Sequence, residues 1–298
     1  MNQTSIRTDD VSISRAKKYR YLWVYSAEDT WVDSRHHRLL DGVRRLGYNV
    51  TGIRNTFAEE GYRWYTFAEL DVMWRRRHPL LMQLYTNIAK AMEHHDILIL
   101  YNGANLHPEF VRQLPGIKAY TFGDPESWDH LAGPIGPAFD IHFANQPSQL
   151  QKFRDSGMPN AHFYPLGSQV FPDDIDLTEE EVGDASLRKI PIALFCGRTP
   201  WRNDRLDGLA NAFPEAVIKG SGWPAGRASY QEIHNTYLNA QIGWNIHNTS
   251  GFSFRTYDLA AYGVMQICDC PEDLAWVFEP GEEIESYSST KECIEKTR

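Results

Sequence analysis

Short apolar runs alternate with longer amphipathic stretches along this chain, and that alternation restricts it to one class of fold. Residues 96–101, Asp-Ile-Leu-Ile-Leu-Tyr, are almost wholly apolar. Such a run is too short for a typical helix and is expected of a parallel strand buried on both faces. Residues 190–196, Ile-Pro-Ile-Ala-Leu-Phe-Cys, repeat the pattern in the second half. Around the first run the same reading gives strands at 19–25, 48–54, 117–122, 139–144 and 161–164. Between them lie helical patterns at 34–46, 67–95 with a break at Pro79, 108–114 and 148–156.

After the second run come a helix at 206–213, a strand at 216–220, a helix at 228–239 and a strand at 243–246. Ser253 then caps a helix that runs through Ala261 and stops at Gly263. A further strand and the loop Phe278-Glu279-Pro280-Gly281 follow. Strand–helix–strand repeats of this kind predict parallel sheets with right-handed crossovers. The expected fold is α/β, with two Rossmann-like domains whose polar strand exits face a cleft. The first domain is expected over 1–168, its first 18 residues a flexible lead-in, and the second over 190–298. Residues 169–189, which contain the acidic run Glu179-Glu180-Glu181, lack a core pattern and are read as the linker.

Composition narrows the function classes. The 298 residues are 42% apolar, enough for sizeable cores, yet no apolar run approaches the ~18 residues of a membrane span. The N-terminus has no apolar segment of the signal-peptide kind. The four cysteines lack zinc-type spacing and read as reduced thiols, which points to a cytoplasmic protein. A net charge of −9 argues against a nucleic-acid partner held by phosphate neutralisation. Nine Trp and fifteen Tyr fit stacking on sugar rings, although aromatic cores also consume such residues. No P-loop, nucleophile-elbow or His-Glu-x-x-His motif is present.

The strand exits carry the candidate chemistry, since α/β sheets hold ligands beyond the carboxyl ends of their strands. The strand at 190–196 runs into Gly197, Arg198, Thr199, Pro200, Trp201, Arg202, Asn203, Asp204 and Arg205. Glycine and guanidinium groups together suit phosphate. The strand at 243–246 runs through a polar turn, with Asn248 and Gly251, into Phe252 and the cap Ser253. A helix start presents N–H groups and a positive dipole end to anions. Arg255 and Asp258, three residues apart, can face one cleft, the cation for a phosphate and the carboxylate for ribose hydroxyls. In the first half, Glu28 and Asp29 follow the first strand, and Asp124 and Glu126 follow the strand at 117–122.

The ordered series Tyr237, Ala240, Ile242-Gly243, Asn245, Gly251, Phe254-Arg255, Tyr257-Asp258, Ala261, Gly263 and Phe278-Glu279-Pro280-Gly281 resembles a known family. It is similar to the C-terminal domain of GT-B-fold glycosyltransferases, above all the group typified by the spore-maturation protein CgeB and its "glycosyl transferases group 1"-like relatives. The resemblance implies a nucleotide-diphosphate sugar as donor substrate, held by the C-terminal domain, with no separate cofactor and no bound metal. It implies an acceptor, a glycan, small molecule or protein, on the N-terminal side. It assigns Arg198 and Arg202 or Arg205 to the diphosphate, with Arg255 near it, and Asp258 to the ribose. The family usually carries Glu at the Asp258 position, and its folds commonly close with a C-terminal helix, for which this chain leaves little length. An inverting reaction needs a base for the acceptor proton, and Asp124, Glu126, Glu28 and Asp29 are the candidates, Asp124 the favoured one. A GT-B-fold nucleotide-sugar epimerase, or a catalytically silent nucleotide-sugar-binding or scaffold protein, would share the donor residues.

Overall fold

The computed structural model describes residues 10–26, 31–61, 63–101, 104–122, 128–171, 174–175, 177–248, 252–269 and 271–298. The chain divides into two compact units, Met1–Ala144 with Gln149–Phe163, and Asn145–Ser148 with Tyr164–Arg298. Each is built on one parallel sheet flanked by helices, the Rossmann-like α/β architecture expected from the sequence.

In the first unit the strands are β1 Arg20–Tyr25, β2 Asn49–Arg54, β3 Ile97–Tyr101, β4 Ile117–Phe122, β5 Ile141–Ala144 and β6 Ala161–Phe163. They pair in parallel in the order β2-β1-β3-β4-β5-β6. Leu22, Val24, Leu98 and Leu100 are all fully buried, which is why these runs are apolar. The predicted helical stretch at 67–95 is two helices, Phe67–Arg75 and Pro79–Met92. Thr66 and Glu69 close a reciprocal capping box on the first. Pro79 opens the second, where its missing N–H costs no hydrogen bond.

Within residues 1–18 the described part holds a helix, Asp10–Ala16, and the Tyr21 hydroxyl donates to the Ala16 carbonyl at 2.8 Å. At the exits of β1, β2 and β3 the first unit holds a buried polar network. Ser26 Oγ donates to Asn55 Oδ1 at 2.7 Å, and Asn55 Nδ2 to the Ala104 carbonyl at 2.7 Å. Asn105 Nδ2 donates in turn to the Asn55 carbonyl at 3.0 Å.

In the second unit the strands are β7 Ile190–Phe195, β8 Val217–Lys219, β9 Ala240–Asn245, β10 Met265–Cys268 and β11 Glu285–Ser286. The order is β11-β10-β9-β7-β8, all parallel. Alternate residues of β7 feed opposite faces. Ile192 and Leu194 enter a cluster with Trp244, Ile246, Leu206 and Leu209, while Ala193 enters another with Tyr237, Leu259 and Tyr262. A sheet covered on both faces needs this two-sided apolar pattern.

Residues 169–189, expected as a linker, lie within this unit and contain the helix Glu179–Gly183, capped by Thr178 and Glu181. Val170 and Ile175 pack on the Tyr237–Leu259 cluster. The buried Arg188 guanidinium donates to the carbonyls of Val182, Tyr237, Ala240 and Tyr262 at 2.7, 3.1, 2.8 and 2.7 Å. The chain ends in the helix Thr290–Thr297, whose Cys293 and Ile294 pack into the cluster around Trp244.

Candidate functional site

The strand order of the second sheet reverses direction between β7 and β9, because the chain runs from β7 to β8 on one side and to β9 on the other. Such a switch point opens a crevice at the carboxyl ends of its two strands. Gly197–Arg205 leave β7 there, and the segment from His247 into the helix Phe254–Ala261 leaves β9.

Two glycines set the position of that helix. A Cβ on Gly243, in β9, would lie 2.5 Å from Leu259 Cδ2 and 3.1 Å from Val264 Cγ1, so glycine lets the helix close onto the strand. Gly263 ends the helix with φ of +63°, a conformation side chains rarely adopt. The buried amide of Asn245 fixes the helix start: its Nδ2 donates to Thr256 Oγ1 at 2.9 Å and to Gln266 Oε1 at 2.7 Å. Gln266 Nε2 donates to the Thr256 carbonyl at 2.9 Å, so β9, β10 and the helix share one network.

Three predicted arginines staple the strand exits together. Arg202 donates to the Gly197 carbonyl through Nε at 3.0 Å and Nη2 at 2.7 Å, and to the Ile246 carbonyl at 2.9 Å. Arg255 donates to the Phe195 carbonyl at 2.7 Å and to Asn245 Oδ1 at 3.2 Å. Arg205 donates to Asp269 Oδ2 at 2.5 Å and to the His247 carbonyl at 2.7 Å. For Arg202 and Arg255 these acceptors are neutral oxygens, which satisfy the N–H groups without cancelling the charge. The consequence is visible in Arg202, whose guanidinium is pulled below its ordinary value by burial and by the neighbouring charges of Arg255 and Arg205. Cys196 and Asp269 act in the opposite sense. A half-buried cluster of like charges of this kind favours an anion.

The other predicted residues distribute around this cluster. Arg198 turns to Asp207, at 2.7 Å, and lies 4.9 Å over the Trp223 ring. The Trp223 indole N–H donates to the Cys196 carbonyl at 3.0 Å, which pins the ring to the end of β7. Asn248 Oδ1 accepts from the Thr199 hydroxyl at 2.6 Å, joining the two exit loops. Gly197 has room for a Cβ, 3.4 Å from that of Ser221. Phe252 is a buried core ring packed edge-on to Tyr257. Asp258 is held by other neighbours than the arginines: its Oδ1 accepts from the Gln169 N–H at 2.7 Å and Ser168 Oγ at 3.0 Å. Gly251 lies outside the described residues, as do Glu28, Asp29, Asp124 and Glu126.

Two residues without a sequence-level assignment to the site, His247 and Asp269, join it through Arg205. The Asp269 carboxylate leaves the end of β10 and accepts from His247 Nδ1 at 2.6 Å and from the His247 backbone N–H at 2.9 Å. His247 Nε2 meets Ser253 Oγ at 3.1 Å. Burial works to raise the Asp269 carboxyl, but the bonds and charge of His247, with Arg205, more than offset it and hold the group below its ordinary value. The signal available in the sequence was position alone, since Asp269 stands at a strand exit like the arginines. Cys268 completes a group whose polar atoms lie within 4.8 Å of one another. Both ring nitrogens of His247 are engaged within the protein, which joins Asp269, His247 and Ser253 into a hydrogen-bonded relay.

A family model described as "Glycosyl transferase-like" matches residues 201–298, the part of the chain that carries Arg202, Arg205, Arg255 and the relay. A search of curated proteins finds no match. Among solved structures the chain is similar to a DNA-modifying β-glucosyltransferase determined in the presence and absence of its substrate uridine diphosphoglucose. The TM-score is 0.55 and the identity 11%, over 93% of this chain and 87% of that one. An α1,3-fucosyltransferase with GDP-fucose matches at TM-score 0.48 and 11% identity, over 94% of this chain and 77% of that one. The spinosyn forosaminyltransferase SpnP matches at 0.41 and 12%, over 86% and 81%. At these identities the likeness is one of fold, carried by the first of the three. The two parallel sheets with flanking helices are those of the GT-B class. Nothing in these matches singles out the CgeB-like group. No helix among the described residues is long and apolar enough to cross a membrane.

Proposed function

We propose that this protein is a glycosyltransferase that takes a sugar from a nucleotide-diphosphate donor, and that the diphosphate binds at the switch point of the second sheet. The observation that carries the reading is the cluster of Arg202, Arg205 and Arg255, whose charge is only partly matched by Asp269. Breaking the bond between the anomeric carbon and the phosphate oxygen leaves growing negative charge on the diphosphate. Guanidinium groups fixed in place by backbone carbonyls need no reorganisation to stabilise that charge. Arg198 extends the cationic edge toward Trp223.

Asp258 takes the ribose in this reading. As Asp rather than Glu it reaches less far, and its bonds to Ser168 and Gln169 hold it in place. A carboxylate takes the acceptor's proton, with Asp124 preferred over Glu126 and Glu28. The match of residues 201–298 to a glycosyl transferase-like family supports the assignment of the donor to this half.

A thermal-shift panel of UDP-, GDP-, dTDP- and CMP-sugars tests the proposal, because a ligand of the native state raises its melting temperature. Stabilisation by one or more diphosphate sugars, weaker with the monophosphate CMP-sugar, is expected. Equal indifference to all four would refute it.

A further inference from the structure

Asp269, His247 and Ser253 form a continuous chain of hydrogen bonds beside the arginine cluster, and its polarity depends on one proton. The Asp269 carboxylate is ionised and accepts only, so His247 Nδ1, 2.6 Å away, carries a hydrogen. In the neutral imidazole Nε2 is then an acceptor, and the Ser253 hydroxyl, 3.1 Å away, points its hydrogen back at the ring. When Nε2 gains a proton it donates to Ser253 Oγ instead. The hydroxyl hydrogen is thereby released to turn toward a ligand.

Ser253 is the residue before the helix Phe254–Ala261 and two before Arg255. The same protonation thus adds a positive charge near the cationic edge and converts Ser253 from a donor spent on the ring into a donor for an anion.

We infer that His247 and Ser253 are a proton-linked clamp for the donor's diphosphate, with His247 the positioning residue that acts through Ser253. The inference rests on the proposed donor site and extends it. Asp269 is built to keep the switch reversible: anchored by Arg205 and by the His247 backbone N–H, it stabilises the imidazolium without itself taking up the proton. The released nucleoside diphosphate carries one more negative charge than the donor it comes from, so the charged clamp favours the leaving group over the ground state.

The groups that face the pair leave His247 as the switching member. Guanidinium groups as a class stay charged across this range, and Asp269 is held below the usual carboxylate range. Burial pushes the Cys293 thiol up to about 12 and raises the Tyr287 phenol. The Cys268 thiol stands beside Asp269 and is distinguished from His247 by the variants below.

The test is isothermal titration calorimetry of the full-length protein with UDP-glucose, GDP-fucose and dTDP-glucose between pH 6 and 8, in buffers of differing ionisation heat. These diphosphate diesters do not titrate in this range, so any proton taken up on binding belongs to the protein. The wild type should take up a fraction of a proton and lose affinity roughly tenfold across the range. His247→Gln and Ser253→Ala should bind more weakly at pH 6, with the pH dependence and the proton uptake gone. Ser253→Ala leaves the His247–Asp269 pair intact and guards against a folding defect in the other variant. An undiminished proton uptake in folded His247→Gln would overturn the clamp while leaving the donor site standing. Failure of every diphosphate sugar to bind the wild type would overturn the donor reading and the clamp with it.

Discussion

Replacing Arg255 by Ala tests the arginine staple on two axes at once. The guanidinium donates to the Phe195 carbonyl at 2.7 Å and to Asn245 Oδ1 at 3.2 Å, and the Asn245 residue is 0% exposed. Stranding a buried acceptor costs about 1–3 kcal/mol, and the charged donor is the stronger kind. Removing a half-buried charge that repels Arg202 returns part of that cost. A net loss of about 2 kcal/mol follows, which at roughly 2–4 °C per kcal/mol for a chain of this size lowers the melting temperature by about 4–8 °C.

Donor affinity should fall more steeply than stability, by at least about a hundredfold, because a charge-assisted contact to the diphosphate disappears. Arg255→Lys separates the two effects. The ammonium restores the charge but not the planar fork that spans β7 and β9, so affinity should recover more than melting temperature. Differential scanning calorimetry and titration calorimetry on the same preparations read both. An Ala variant that melts with the wild type and binds the donor equally well would refute the reasoning.

Three further outcomes test the proposed function and the packing around it. Asp124→Asn should abolish sugar transfer while leaving donor affinity unchanged, read by a coupled release assay beside calorimetry; near-normal turnover would exclude Asp124 as the base. Because the Asp269 carboxyl is lower in the folded protein than in the unfolded chain, its stabilisation is complete above about pH 4 and is lost as pH falls through the folded value. Asp269→Asn should therefore destabilise the protein near neutrality and flatten the acid side of its stability profile, as measured by urea unfolding from pH 3 to 7. Gly243→Ala should cost about 1–3 kcal/mol, since the new methyl meets Leu259 and Val264. It should also weaken donor binding, because the displaced helix carries Arg255.

The sheets were legible because burial on both faces writes itself into composition. Residues 96–101 and 190–196 differ by a residue at one end from β3 and β7. Pro79 separated two helices for a local steric reason that any chain obeys. The arginines at the strand exits were legible as a class, since α/β sheets place ligands there, but their bonding was not. Arg202 and Arg255 bridge β7 and β9, an arrangement set by strand order, and order is a long-range property.

His247 and Asp269 were missed for the same reason. They are twenty-two residues apart and meet only because β9 and β10 are parallel neighbours. Strand β11 is two residues long and the helix Thr290–Thr297 eight, too short to announce themselves without the Trp244 cluster they cover. Arg188 reads as an ordinary charge in an acidic stretch, yet it is buried on five carbonyls of surrounding elements.

The central claim is that a diphosphate binds where β7 and β9 part. The direct measurement is a crystal structure of the protein with a nucleoside diphosphate or its sugar. The account predicts phosphate density within hydrogen-bond reach of the Arg202 and Arg255 guanidinium groups and of the Ser253 hydroxyl. Density for an ordered nucleotide away from these three side chains, with Arg202 and Arg255 still bonded only to their carbonyls, would contradict it.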